Sequence, residues 1–170
     1  MDTTILYIIF GTMLVVGLIG QRLMNPVKNT GKLKLVNMDD VEMEEIGVYV
    51  MDKLSGDYNV STPKFQLGTL KGTNTMGNPS GDVAASYLGQ IDMIVLDPNM
   101  MRNHDLLVED LFGYLAHEFQ HYLDKLELGD SKKWEKEYEK NVEYYELKAD
   151  NFMNKTKFVL IEDYIKNYSK

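Results

Sequence analysis

The sequence predicts an α+β domain, and three observations carry the prediction. Residues 64–70, 83–88 and 91–96 are short apolar or alternating runs between Gly, Asn, Pro and Asp, and read as strands. Residues 106–127 and a stretch from Ser131 to about Asn154 carry helical periodicity over many turns. Residues 1–20 are different in kind: one charge, then an unbroken apolar run. The expected arrangement is a small sheet, then a long helix, then a partner helix that returns along it.

The elements follow in chain order. Residues 3–20 (TTILYIIFGTMLVVGLIG) carry no charge. As a helix they reach about 27 Å, enough for a hydrocarbon core. A cleaved leader should begin with basic residues and end at a small-x-small site. Here Asp2 precedes the run and no such site lies near Gly20. Residues 1–20 are therefore expected to be a retained transmembrane anchor. Arg22, Lys28, Lys32 and Lys34 all follow it, which orients the C-terminal domain to the cytoplasm. Residues 21–36, with Pro26, Asn29 and Gly31, read as a basic tether suited to anionic headgroups. Residues 37–170 are the domain proper.

Asp39 or Asp40 caps a helix expected to reach about Leu54, with Val41, Ile46, Val50 and Leu54 toward the core. Ser55-Gly56-Asp57 should end it. Residues 71–82, rich in Gly, Asn and Pro, read as a loop. The runs 83–88 and 91–96 suggest a hairpin around Gly89-Gln90, closed by Asp97-Pro98. Asp105 is expected to cap the helix 106–127, which Gly129 and Asp130 break. Residues 157–168 read as a separate short amphipathic helix.

Composition narrows the chemistry. The 170 residues carry a formal charge of −8 and no cysteine. Thiolate metal sites, disulfides and cysteine nucleophiles are excluded, and so is nucleic-acid binding by general electrostatics. Metal ligands must come from His, Asp and Glu, for which zinc is the default partner of two imidazoles and a carboxylate.

The chain has three histidines, and His117-Glu118-Phe119-Gln120-His121 uses two of them in an H-E-x-x-H pattern. On a helix the two imidazoles lie about 6 Å apart along the axis and about 40° apart around it. Both can ligate one ion, and the Glu118 carboxylate can reach a water bound to it. This is the minimal apparatus of zinc-assisted hydrolysis. A catalytic zinc takes three protein ligands and keeps one position open. Three residues beyond His121 stands Asp124, and six beyond stands Glu127. A Gly and a His in those places would complete a metzincin pattern, so Glu127 is only a secondary candidate ligand. Glu139, Glu143, Glu146 and Asp150 recur at helical spacing on the partner helix. The plain reading of such a stripe is a solvated acidic face.

The segment Glu146-Leu147-Lys148-Ala149-Asp150-Asn151-Phe152 resembles the E-x-x-A-D-x-F element of gluzincin metallopeptidases. Among these are the HtpX and CAAX prenyl-protease group and, more loosely, the ImmA/IrrE proteases. The resemblance covers roughly 105–152. It implies a minimal zincin-like domain in which His117, His121 and Glu146 hold Zn²⁺. It further implies that Asp150 orients a zinc-bound imidazole, His117, and that small Ala149 lets the two helices approach. Glu118 is then the general base of a membrane-anchored zinc metallopeptidase. Its expected partner is a peptide or protein substrate, membrane-associated ones included, laid as an extended strand on the edge of the 83–97 hairpin. Two other classes fit the same residues: a non-catalytic zinc-stabilised module that binds peptides or partners, and a tethered partner-binding domain without metal. His104, Tyr122, Tyr144 and Tyr145 lie near the motifs in sequence, and nothing in the spacing assigns them a role.

Overall fold

Asp39 opens the first described helix with a capping box. Its carboxylate accepts the Glu42 N–H at 2.9 Å, and the Glu42 side chain accepts the Asp39 N–H at 3.0 Å. The computed structural model describes residues 38–70, 83–104 and 106–168. The anchor, the tether, the 71–82 loop and the Asp105 cap lie outside the described residues.

Helix α1, Asp40–Tyr58, runs past its expected end at Leu54. Ser55 and Gly56 stay helical, and the chain turns at Asn59, whose φ of 53° is left-handed. Asn tolerates that conformation better than most residues. Met43, Ile46, Val50 and Leu54 form the buried stripe. Val41, expected on that face, is 63 % exposed. It lies about 140° around the helix from Ile46, and Met43 takes its place.

Three strands follow: β1 (Lys64–Leu67), β2 (Ala85–Leu88) and β3 (Met93–Leu96). The sheet order is β1-β3-β2, with β1 parallel and β2 antiparallel to β3. The expected hairpin forms, its turn completed by Asp92 at φ 49°. The 64–70 run is strand only to Leu67. Beyond it Gly68 N–H still donates to Leu96 at 2.9 Å, but Leu70 N–H donates to the buried Asp97 carboxylate at 2.8 Å. The same carboxylate caps α2 (Pro98–Asn103) through the N–H groups of Asn99 and Met100.

Helix α3 spans Val108–Leu128 and starts two residues later than expected, with Leu107 as its N-cap. Asp110 accepts the Leu107 N–H at 2.8 Å. Gly129, at φ 75°, ends the helix, and Asp130 caps α4 (Ser131–Lys140) through the Lys133 N–H. Helix α5 then spans Val142–Tyr168. The expected partner helix of 131–154 is thus broken at Asn141, and the expected separate helix of 157–168 is the end of α5. Asn141 causes the break by competing for local backbone bonds. Its side-chain amide donates to the Glu137 side chain at 2.8 Å, while its carbonyl accepts the Tyr144 N–H at 3.0 Å. No Gly or Pro stands between 142 and 168, so nothing interrupts α5.

Helix α5 lies antiparallel against α3. Gly113 sits against Met153 and Lys157, His117 against Asp150, and Asp124 against Lys148. A Cβ at Gly113 would be 3.2 Å from the Met153 sulfur, so the helices approach closely there. The core fills the space between α1, α3, α5 and the sheet, with Val50, Ile94, Leu96, Leu111, Leu115 and Phe119 fully buried. Among the described residues no helix is long and apolar enough to cross a membrane.

Candidate metal centre

One turn of α3 and the facing turn of α5 bring three side chains to a point. His117 Nε2 and His121 Nε2 are 3.2 Å apart. Glu146 Oε2 is 3.3 Å from His117 Nε2, and Glu146 Oε1 is 3.3 Å from His121 Nε2. Among the described residues this is the one cluster of His, Asp and Glu arranged to hold a metal ion. The spacing tests the fit. A four-coordinate ion with bonds of about 2.0–2.1 Å keeps its ligand atoms about 3.3 Å from one another. The two imidazole nitrogens match that separation and each faces a different Glu146 oxygen at 3.3 Å, so one atom from each of the three lies within 4.8 Å of the others, and the donor set suits a borderline divalent ion.

The surroundings orient the trio. Asp150 Oδ1 lies 3.1 Å from His117 Nδ1. With the proton on Nδ1, the Nε2 lone pair points to the centre. His121 is 4 % exposed and packs edge-on against Tyr138, and its Nδ1 has no hydrogen-bond partner. Tyr138 donates to Glu146 from the buried side of the site.

Burial alone would lower the His117 pKa, but its hydrogen bond to Glu146 and the charges of Glu118, Glu146 and Asp150 outweigh it and raise the value. Burial would raise Glu146, yet the hydrogen bonds from His117, His121 and Tyr138 hold its carboxyl far below the usual range. The Tyr138 hydroxyl is pushed well up by burial and by its bond to Glu146, so it stays a donor. The centre is a strongly anionic, imidazole-lined point.

Glu118 is 8 % exposed, and its Oε2 accepts the Tyr87 N–H at 2.7 Å. That bond follows from the sheet. Asp97 N–H donates to Ala84, so the even positions of β2 face β3 and the odd ones face outward. The outward Tyr87 amide meets α3 at Glu118. Among the described residues β2 is therefore an edge strand, and its outward side borders the centre. A cleft of about 1150 Å³ runs along it, with β2 as one wall, the trio and Glu118 at its middle, and α4 and α5 opposite.

The remaining candidates lie elsewhere. Glu127 reaches toward Lys148 at 3.5 Å and is not in the trio. Glu139 falls on α4, and it lines the cleft rather than the centre. Glu143 is exposed outside the cleft. Tyr122 is buried and bonds to Ser61, Tyr145 packs on Tyr138, and Tyr144 is exposed. His104 lines one end of the cleft. Two contributors had no signal in the sequence: the Tyr87 amide, a backbone group, and Tyr138, which reaches Glu146 only because the chain breaks at Asn141.

Compared with known proteins, the chain matches no family model, no curated protein and no solved structure. The functional reading therefore rests on the site itself.

Proposed function

We propose that this protein is a zinc-dependent metallopeptidase tethered to a membrane by residues 3–20, with its catalytic domain on the cytoplasmic side. One observation carries the reading. Two helix histidines and Glu146 lie 3.2–3.3 Å apart, and a buried carboxylate, Glu118, stands beside them, bonded to the outward amide of what is, among the described residues, an edge strand. The E-x-x-A-D resemblance of 146–150 supports the same choice of third ligand.

His117, His121 and Glu146 would hold the ion. Zinc bound there supplies a Lewis acid and brings the pKa of its water toward about 7. The rest is done by the chain. Asp150 holds the His117 proton on Nδ1. The Tyr87 N–H fixes one Glu118 oxygen, leaving the other oxygen to take a proton from the attacking water. Glu118 then hands that proton to the leaving amine. The outward groups of Ala85 offer an extended peptide main-chain hydrogen bonds beside the centre.

The test uses the full chain in detergent. Elemental analysis of the wild type should find zinc at one equivalent, lost in Glu146→Ala and kept in Glu127→Ala and Glu118→Gln. Cleavage of unfolded casein should fall by about 10²–10⁴ in Glu118→Gln. Absence of zinc after reconstitution sinks the proposal. Bound zinc with cleavage independent of Glu118, or with none, leaves a zinc-stabilised binding module instead.

A further inference from the structure

The two halves of the cleft differ in what they offer a ligand. On one side of the centre, toward the start of α3, β2 presents the outward main-chain groups of Ala85. Met153 and Lys157 of α5 lie opposite, against Gly113. On the other side, toward the β2–β3 turn, the main chain is already in use. The Tyr87 N–H is held by Glu118 at 2.7 Å, and the Gly89 carbonyl accepts the Ser131 hydroxyl at 2.7 Å. The Trp134 ring presses on Gly89 so closely that a Cβ there would be 3.1 Å from it. Strand addition stops at Tyr87, and recognition beyond it falls to side chains.

Helix α4 supplies those side chains, and its charges are sorted. Trp134, Glu135, Tyr138 and Glu139 line the cleft, whereas Lys132, Lys133, Lys136 and Lys140 do not. Among the described residues neither Glu135 nor Glu139 forms an ion pair. The one lysine of the cleft wall, Lys157, sits in the opposite half.

We infer that the α4 half of the cleft is a cation-reading subsite, in which Glu135 and Glu139 select a Lys or Arg side chain on a peptide whose main chain pairs with Ala85. The inference rests on the peptidase reading and names the substrate class of that site. Two carboxylates on the wall of a partly enclosed cleft keep more of their attraction for a cation than two on an open surface.

Trp134, the one tryptophan in the chain, stands in this subsite and reports on it. The zinc-loaded full chain carrying Glu118→Gln is titrated with blocked alanine-based hexapeptides bearing one Lys, Gln or Glu, scanned through the positions, while Trp134 fluorescence is followed. The Lys peptide should bind at least about fivefold tighter than the Gln peptide at its best position, with the Glu peptide weakest. The preference should vanish in Glu135→Gln/Glu139→Gln. It should reverse toward the Glu peptide in Glu139→Lys, which also guards against a neutralised variant that merely loosens. Equal binding of all three peptides, or a Lys preference that survives both variants, overturns the subsite and leaves the peptidase reading standing. No binding by any peptide to the zinc-loaded chain overturns both.

Discussion

At the scale of single residues, the site is two layers deep, and its outer layer is as chemical as its inner one. Asp150 is more than half exposed, yet its carboxylate meets the one ring nitrogen of His117 that faces away from the centre. Removing it leaves all three ligands in place and loses only the tautomer and the ring angle. Asp150→Ala should therefore weaken zinc affinity by about 10–100-fold, measured by competition with a chromophoric chelator, while stoichiometry at saturating zinc is unchanged. An unaltered affinity would mean that packing alone orients His117. The inner layer was legible in the sequence because helical spacing fixes which histidines share a face and the E-x-x-A-D pattern singles out Glu146 from an acidic stripe. Tyr138 was not legible. In one unbroken helix a residue eight before Glu146 lies about 12 Å away along the axis. Only the turn at Asn141 folds α4 back so that its hydroxyl reaches the carboxylate.

At the scale of elements, the question is what holds α5 against α3 so that Glu146 meets the histidines. Lys148 answers part of it. Its ammonium lies 2.6 Å from Asp124, a carboxylate only 2 % exposed that also accepts the Gln120 side-chain amide at 2.8 Å. Burial lowers the Lys148 pKa and the bond to Asp124 raises it, the second effect being larger. The two partners are not equivalent. A Lys148→Met chain strands a buried charge, which costs about 3 kcal/mol or more. An Asp124→Asn chain strands an ammonium that can turn to water, and it keeps the Gln120 contact, so it should cost nearer about 1 kcal/mol. Urea denaturation of the two variants gives the order, and the reverse order would show that Asp124 is hydrated in solution. The β2–β3 turn is fastened to α3 in a similar way. Asp92 accepts from the Tyr87 hydroxyl at 2.6 Å and from Lys125 at 2.9 Å. Burial would raise its pKa, but those two bonds hold it below the ordinary 3.8. A depressed carboxyl stabilises the fold above its unfolded value and loses that contribution as pH falls through the folded one. The stability gap between wild type and Lys125→Met should thus be constant near neutrality and close below pH 3.8. The strands themselves were legible from alternation and turn residues. Their order was not, because the parallel β1–β3 pairing depends on contacts between segments about thirty residues apart.

At the scale of the whole molecule, the proposed peptidase predicts that the fold stands without its ion, which a domain that needs zinc to fold would not do. The core is built from α1, the sheet, α3 and α5, with Met43, Ile46, Val50, Leu54, Ile94, Leu96 and Phe112 almost wholly removed from water. None of these touches on the need for an ion. The candidate ligands sit on the cleft side of α3 and α5, and of the three His121 alone packs its ring on the core, against Trp134 and Tyr138. Helix α3 is also pinned to α5 at Asp124–Lys148, and α1 to α5 at Tyr49–Asp163. A zinc finger, whose core is too small to stand alone, unfolds when its ion is withdrawn. Here chelation should leave the far-ultraviolet circular dichroism of the full chain in detergent unchanged at 25 °C. It should lower the melting temperature by the linkage term alone. Free zinc at about a thousand times its dissociation constant stabilises by about 4 kcal/mol, or about 10–15 °C for a domain of this size. The same chelation should abolish casein cleavage, and readdition of zinc should restore it without a refolding delay. Collapse of the helical signal on chelation would overturn the separation of fold from site. It would also favour the zinc-stabilised binding module over the peptidase, since a site that must exist for the chain to fold has no need to keep a coordination position open beside Glu118.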